Sequence, residues 1–294
     1  MNIVLAGASG FIGSALRERL VAAGHPVTVL VRRPPSSSSE RGWHPERGQL
    51  DPGLVDGVDA VICLSGAGVG DHRWTAEYKR TLVDSRVNSV SAIADAISKA
   101  ARPPGVFLCA SAVGYYGDTG ERIATESSPA GKGFLAELCR KWEAAADAAS
   151  PSGTRVVNLR TGLVLGNGGL MTRLRPLFKL GLGGRLGSGR QYMPWISLAD
   201  EADAIMFCLT NDAVTGPVNL TGPQPVTNAE FTRTLARVAN RPAVLAAPAF
   251  AVRLALGEFA SDVLEGQRAI PQKLTEHGFS FADPTLEGAL RSVL

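Results

Sequence analysis

Asn2 to Ala6 is a short apolar run ending in glycine, Phe11 to Ala23 carries apolar residues at helical spacing, and Val27 to Val31 is rich in β-branched residues. The chain therefore opens strand, helix, strand. The same alternation predicts a strand over Ala60 to Leu64, a long amphipathic helix over Ala76 to Ala100 and a strand over Gly105 to Ala110. A helix over Phe134 to Ala149 and a strand over Thr154 to Arg160 complete it. Continuous apolar strands alternating with helices predict an α/β fold, a doubly wound parallel sheet covered on both faces and linked by right-handed crossovers. After Gly162 the alternation gives way to glycine-rich loops (166–169 and 181–189), short helices and prolines, which reads as a smaller substrate-side region. The boundary falls at 165/166, so residues 1–165 and 166–294 form the two parts. Pro34 to Ser39 reads as a mobile surface loop. The apolar run Ala246 to Leu256, broken by Pro248 and Arg253, reads as a core helix, being too short for a membrane span.

Composition narrows the function classes. With 30 Lys and Arg against 27 Asp and Glu, the net charge is +3 and leaves no basic footprint for nucleic acid. An apolar share of 45% with 19% charged residues suits a large core and no long disorder. Cys63, Cys109, Cys139 and Cys208 form no CxxC pair and no zinc spacing, so reduced thiols and no metal are expected. Neither a targeting segment nor an apolar stretch of about 18 residues occurs, and the expectation is a cytoplasmic protein without membrane partners.

Gly7, Gly10 and Gly13 lie between the first strand and the first helix and head a βαβ unit. This is the Rossmann-type place for a dinucleotide: glycines permit a tight turn, and the helix amides approach a pyrophosphate whose charge the helix end favours. The second strand ends in Arg32 and Arg33 where an acidic residue would accept from a ribose 2′-hydroxyl. Arginine pairs with a 2′-phosphate, so NADP(H) is expected over NAD(H); the alternative is a solvated pair ahead of a loop.

AGASGFIG at the start, LSGAGVGDHRW at Leu64 to Trp74, DSRV at Asp84 to Val87 and SAVGYYG at Ser111 to Gly117 are similar to the extended short-chain dehydrogenase/reductase superfamily. So are LRTGLVLG at Leu159 to Gly166, GGRLGSGRQYMPWI at Gly183 to Ile196, NLTGPQPVTNAEF at Asn219 to Phe231 and LEGQRAIPQKLTEHGFSF at Leu264 to Phe281. More closely the chain resembles an atypical sugar-nucleotide epimerase-like branch with a C-terminal domain of unknown function, DUF1731-type, near residues 245–292 and interleaved with the core sheet. The resemblance implies that Ser9, Phe11, Ile12, Leu64, Ser65, Gly66, Arg86, Ala110 and Leu163 also border the cofactor. It further implies a homodimer through the long helices.

In ordinary members of the superfamily a serine, a tyrosine and a lysine perform the chemistry. Ser111 matches the serine, but Leu135 and Cys139 stand where tyrosine and lysine would, and Arg86 replaces the usual helix asparagine. Leucine cannot transfer a proton, so the acid/base is Cys139, Tyr115, Tyr116 or a water. A cation such as Arg86 would favour the Cys139 thiolate, whereas the bland alternative makes Cys139 a packing residue. Tyr115 lies in the loop at the strand's carboxyl end and is expected to contact substrate. Met193, Pro194 and Trp195 replace the arginine that clamps a substrate diphosphate in nucleotide-sugar enzymes. Met193 offers soft apolar contact, Trp195 a stacking face, and Arg190 an anion contact. Asp200 is expected to cap or orient the following helix. Two functions follow: an NADP(H)-dependent reductase or epimerase-like enzyme with an unidentified small-molecule substrate, or a catalytically silent NADP(H)-binding scaffold or redox sensor.

Overall fold

A computed structural model describes residues 1–294. The chain forms two compact units. One comprises residues 1–111, 138–159 and 202–218, the other 112–137, 160–201 and 219–294. Each unit is discontinuous, in contrast to the single boundary expected at 165/166, because the later sheet strands return to the first unit after long excursions.

The seven strands of the central sheet are β1 (Ile3–Ala6), β2 (Val27–Val31), β3 (Glu40–Gly42), β4 (Ala60–Cys63), β5 (Val106–Ala112), β6 (Arg155–Thr161) and β7 (Gly216–Leu220). Their order is β7-β6-β5-β4-β1-β2-β3. β1 pairs in parallel with both β2 and β4, Ile3 facing Val27 on one side and Ala60 on the other. Every residue of β1 and β4 is buried, as a strand covered on both faces requires. The helices α1 (Phe11–Ala22), α2 (Ala76–Lys99) and α3 (Phe134–Asp147) follow the predicted boundaries closely. Val4, Val61, Phe107, Val90, Ile93, Ile97 and Trp142 join in the core cluster of this unit.

Strand β3 is absent from the sequence reading, and the Pro34 to Ser39 loop is tied down instead of loose. Arg33 donates to both oxygens of Glu40, at 2.9 and 2.7 Å, and the Ser36 amide and hydroxyl donate to the same carboxylate. The Arg33 guanidinium and the Ser36 amide hold the Glu40 carboxyl down at about 2. As an exposed ion pair this is worth little by itself, but four bonds on one carboxylate close the loop and start β3.

The second unit is built from short pairings. Leu163–Leu165 runs parallel to Trp195–Ser197, Leu245–Ala247 to Gly184–Leu186, and Arg268–Ala269 to Ile123–Ala124. Its core gathers Leu165, Met171, Phe178, Trp195, Phe231, Leu235 and Leu290. Helix Asn228–Val238 starts with a Thr227/Glu230 capping box, worth about 1 kcal/mol. Ser197 Oγ caps helix α4 (Leu198–Thr210) at the Asp200 amide, 3.0 Å away. The Asp200 carboxylate accepts from the amides of Ala282 and Asp283, so it anchors the C-terminal segment as well as the helix start. Helix Ala249–Leu256 departs from the expected core helix: it buries Val252 but leaves Phe250 72% and Leu254 77% exposed. Bounded by Pro248 and Gly257, it has only eight residues and one face to bury. No helix is long and apolar enough to cross a membrane.

Glu201, in the first turn of α4, is fully buried. It accepts from Thr161 Oγ1 at 2.8 Å through one oxygen, while the other has no partner. Burial raises its carboxyl from the ordinary 4.5 to about 8. The folded state therefore holds a proton that the unfolded chain releases above about 4.5, and stability should decline as pH rises from there towards 8. Glu201→Gln should remove that slope, raising the thermal midpoint at pH 8 while changing it little at pH 4.5. Equal shifts at both pH values would show that Glu201 is not the titrating group.

Candidate functional site

The glycine loop stands at the carboxyl end of β1. Gly7 has a φ of +87°, and a Cβ on it would lie 2.7 Å from the Leu64 carbonyl carbon and 2.9 Å from the Ser65 nitrogen. The loop thus runs against the segment that follows β4, which brings Leu64, Ser65 and Gly66 beside it. The Gly10 amide closes the turn on the Gly7 carbonyl at 3.0 Å. A Cβ on Gly13 would overlap that same carbonyl, so α1 sits as close to the turn as backbone allows. Gly10 caps α1 without a side-chain bond, and the first turn carries no acidic residue. The helix end, lined by Phe11 and Ile12, keeps its positive dipole and unclaimed amides for an anion. Ser9 is exposed at the loop tip. The cradle fits a dinucleotide pyrophosphate.

At the end of β2 the two arginines differ. Arg33 is held by Glu40, whereas Arg32 is exposed and makes no side-chain hydrogen bond. Only Arg32 is free to reach a 2′-phosphate without breaking an existing pair.

Ser111 lies near the end of β5, beside half-buried Ala110, and is 3% exposed. Its hydroxyl donates to Glu143 Oε1 at 2.7 Å, and Glu143, on α3, is itself 7% exposed. Cys139 stands one helical turn before Glu143 on the same ridge and is 1% exposed. Arg86 of α2 is buried against Gly66 and over the Trp142 ring, 5.0 Å from its centroid. It donates to the Leu82 carbonyl and has no carboxylate partner. Burial lowers its pKa, and the nearby Cys139 thiol opposes that shift. Cys63 and Cys109 are buried thiols, the former pushed up to about 11 by desolvation, so neither is a nucleophile at neutral pH. Glu143 escaped the sequence reading. A signal existed, since it follows Cys139 at i+4, but a charged residue on an amphipathic helix ordinarily faces water.

In the other unit, Tyr116 is fully buried. Its hydroxyl donates to Asn219 Oδ1 at 2.6 Å and accepts from Arg160 Nη1 at 2.9 Å. Desolvation pushes it up to about 12. Both hydrogen-bonding directions are used, which argues against the expected proton donor and for an anchor. Tyr115 is only partly buried, with the Arg160 guanidinium 3.5 Å from its ring centroid. Trp195 is 1% exposed, its indole donating to the Gln224 carbonyl, and its ring packs against Gly222. It is enclosed core and not the expected stacking face. Met193 is half-buried, Arg190 is exposed, and Leu163 is half-buried opposite Trp195 in their strand pair.

Known proteins resemble this chain along its whole length. Residues 3–221 match the model of the NAD dependent epimerase/dehydratase family, and residues 247–293 match a domain of unknown function, DUF1731. An epimerase family protein of Mycobacterium tuberculosis is 50% identical over 290 residues, covering 98% of this chain and 96% of that protein. The epimerase family protein SDR39U1 of Homo sapiens is 35% identical over 299 residues, with all of both chains covered. The crystal structure of human SDR39U1 (isoform 2) with NADPH superposes with a TM-score of 0.91 at 34% identity, covering 100% of this chain and 99% of that one. A nucleoside-diphosphate sugar epimerase from Corynebacterium glutamicum gives 0.83 at 31% identity, covering 99% of this chain and 57% of the other. With its glycine cradle, its parallel sheet and its DUF1731 segment, this chain belongs to the NAD dependent epimerase/dehydratase family.

Proposed function

We propose that this protein binds NADP(H) in the glycine cradle and acts as a reductase or epimerase-like enzyme on a carbonyl/alcohol or sugar-like substrate. The observation that carries this reading is the contact of Gly7 and Gly13 with backbone, which leaves an anion-binding helix end open at the sheet's carboxyl edge. The NADPH in the structure of the human relative supports the choice of cofactor. Bound NADP(H) supplies or removes the hydride. Arg32 holds the 2′-phosphate, and the cradle binds the pyrophosphate. Arg86, a buried cation without a carboxylate partner, faces the ribose or stabilises the Cys139 thiolate. Ser111 contacts the reacting oxygen. Tyr115, Met193 and Arg190 bind substrate, with Tyr116 and Trp195 as supports behind them. A homodimer through α2 and α3 belongs to the same reading.

Calorimetric titration tests the cofactor. NADPH should bind with micromolar or lower Kd and NADH far more weakly. Arg32→Ala should cost NADPH roughly tenfold or more, the loss of a charge-assisted bond, while leaving NADH unchanged. Arg33→Ala should have the smaller effect because its guanidinium already serves Glu40. Absence of binding by either nucleotide would reduce the glycine loop to a structural turn.

A second reading, a catalytically silent NADP(H) scaffold or redox sensor, is favoured by Leu135 at the usual tyrosine position and by the commitment of Tyr116 to Asn219 and Arg160. Tight NADPH binding with no turnover across a panel of carbonyls would select it.

A further inference from the structure

Resting on the enzymatic reading, we infer that Glu143 replaces the missing tyrosine and lysine by working through Ser111 as a two-member proton relay. Ser111 has one hydroxyl proton, and the structure commits it to Glu143 Oε1 at 2.7 Å. Its lone pairs accept no hydrogen bond. With Glu143 ionised, then, Ser111 cannot donate to a substrate carbonyl in the manner usual for the superfamily; it can only accept. A substrate alcohol, whose O–H donates, is the group that fits this state.

In the oxidative direction the substrate hydroxyl proton passes to Ser111 Oγ as the Ser111 proton passes to Glu143 Oε1. The carbinol carbon gives up its hydrogen with the bonding pair to NADP⁺, and the C–O single bond becomes a carbonyl. One proton rests on Glu143 and one hydrogen with two electrons on the cofactor. In reduction every transfer reverses: protonated Glu143 donates to Ser111, whose own proton goes to the forming alkoxide. The protonation state of Glu143 thus decides whether Ser111 presents an acceptor or a donor.

Burial makes the pair suited to this task. Both side chains are more than nine-tenths enclosed, so water does not compete for the Ser111 proton. Placement follows from the helix: Glu143 lies one turn beyond Cys139, farther along the ridge that begins at Leu135. Glu143 reaches the substrate only through Ser111 and is a positioning residue.

The test compares the full-length wild type with Glu143→Gln and Ser111→Ala. The glutamine side chain keeps size and hydrogen bonding but cannot take up a proton. NADPH affinity by calorimetry should stay within twofold in both variants. Infrared spectroscopy of the NADPH complex should show a carboxylate band that is lost in Glu143→Gln and displaced in Ser111→Ala. On whichever carbonyl or alcohol of a screening panel the wild type turns over, Glu143→Gln should lower kcat at least hundredfold. It should also remove one ionisation from the pH profile. A carboxylate band indifferent to Ser111→Ala, or a Glu143→Gln profile with the wild-type limbs, would overturn the relay while leaving the enzyme intact. Wild-type silence over the whole panel would remove the enzymatic reading and the relay with it.

Discussion

Gly13→Ala should abolish measurable NADPH binding, a rise in Kd of at least ~100-fold, or about 2.7 kcal/mol. Helix propensity points the opposite way, since alanine is favoured over glycine inside a helix by about 1 kcal/mol. The contact decides: the new Cβ would overlap the Gly7 carbonyl oxygen, which is backbone and cannot rotate aside. Either α1 retreats from β1 or the turn opens, and both displace the amides that face the pyrophosphate. Because Gly7 is itself wedged against Leu64 and Ser65, the disturbance reaches the neighbouring loop. Calorimetry with NADPH, beside a thermal melt showing the variant folded, measures the effect. Wild-type affinity in a folded Gly13→Ala protein would mean that the cofactor does not use this cradle.

Arg160→Met should lower the unfolding free energy by about 3 kcal/mol, or roughly 5 °C in the thermal midpoint of a chain of 294 residues. Arg160 is 3% exposed, donates to the Tyr116 hydroxyl and lies over the rings of Tyr115 and Tyr116. The apolar replacement keeps the stem packing, so the loss reports the guanidinium. Around it, Glu126 Oε1 accepts from the amides of Asn219 and Lys273, and Asn219 Nδ2 donates to the Ile270 carbonyl. Truncation therefore loosens the loop after β5 together with the C-terminal segment that pairs with Ile123–Ala124. Tyr116→Phe removes a single hydroxyl and should cost about 1 kcal/mol. A midpoint unchanged in Arg160→Met would show that the network carries no net stability.

These outcomes separate what local sequence dictates from what long-range packing adds. The alternation of continuous apolar strands with amphipathic helices, and three glycines running from the end of the first strand into the first turn of the helix, are properties of short windows. A strand buried on both faces must be apolar throughout, and a pyrophosphate turn must lack Cβ atoms whatever the rest of the chain does. Fold class and cofactor cradle were therefore legible in the residues alone, whereas the missing tyrosine and lysine showed only through the family resemblance.

What tertiary structure decided lies in pairs that no window contains. Arg32 and Arg33 look alike until Glu40 folds back and engages one of them. Ser111 meets Glu143 across 32 residues, and Tyr116 meets Asn219 across 103. Trp195 and Tyr116 carry the polar tips and broad faces of ligand-binding residues, yet Gly222 and Gln224 hold the first, and Arg160 of β6 and Asn219 of β7 hold the second. The physical reason is that the cost of burying a polar side chain depends on the partner waiting inside. Crossover connections choose that partner, and local pattern cannot.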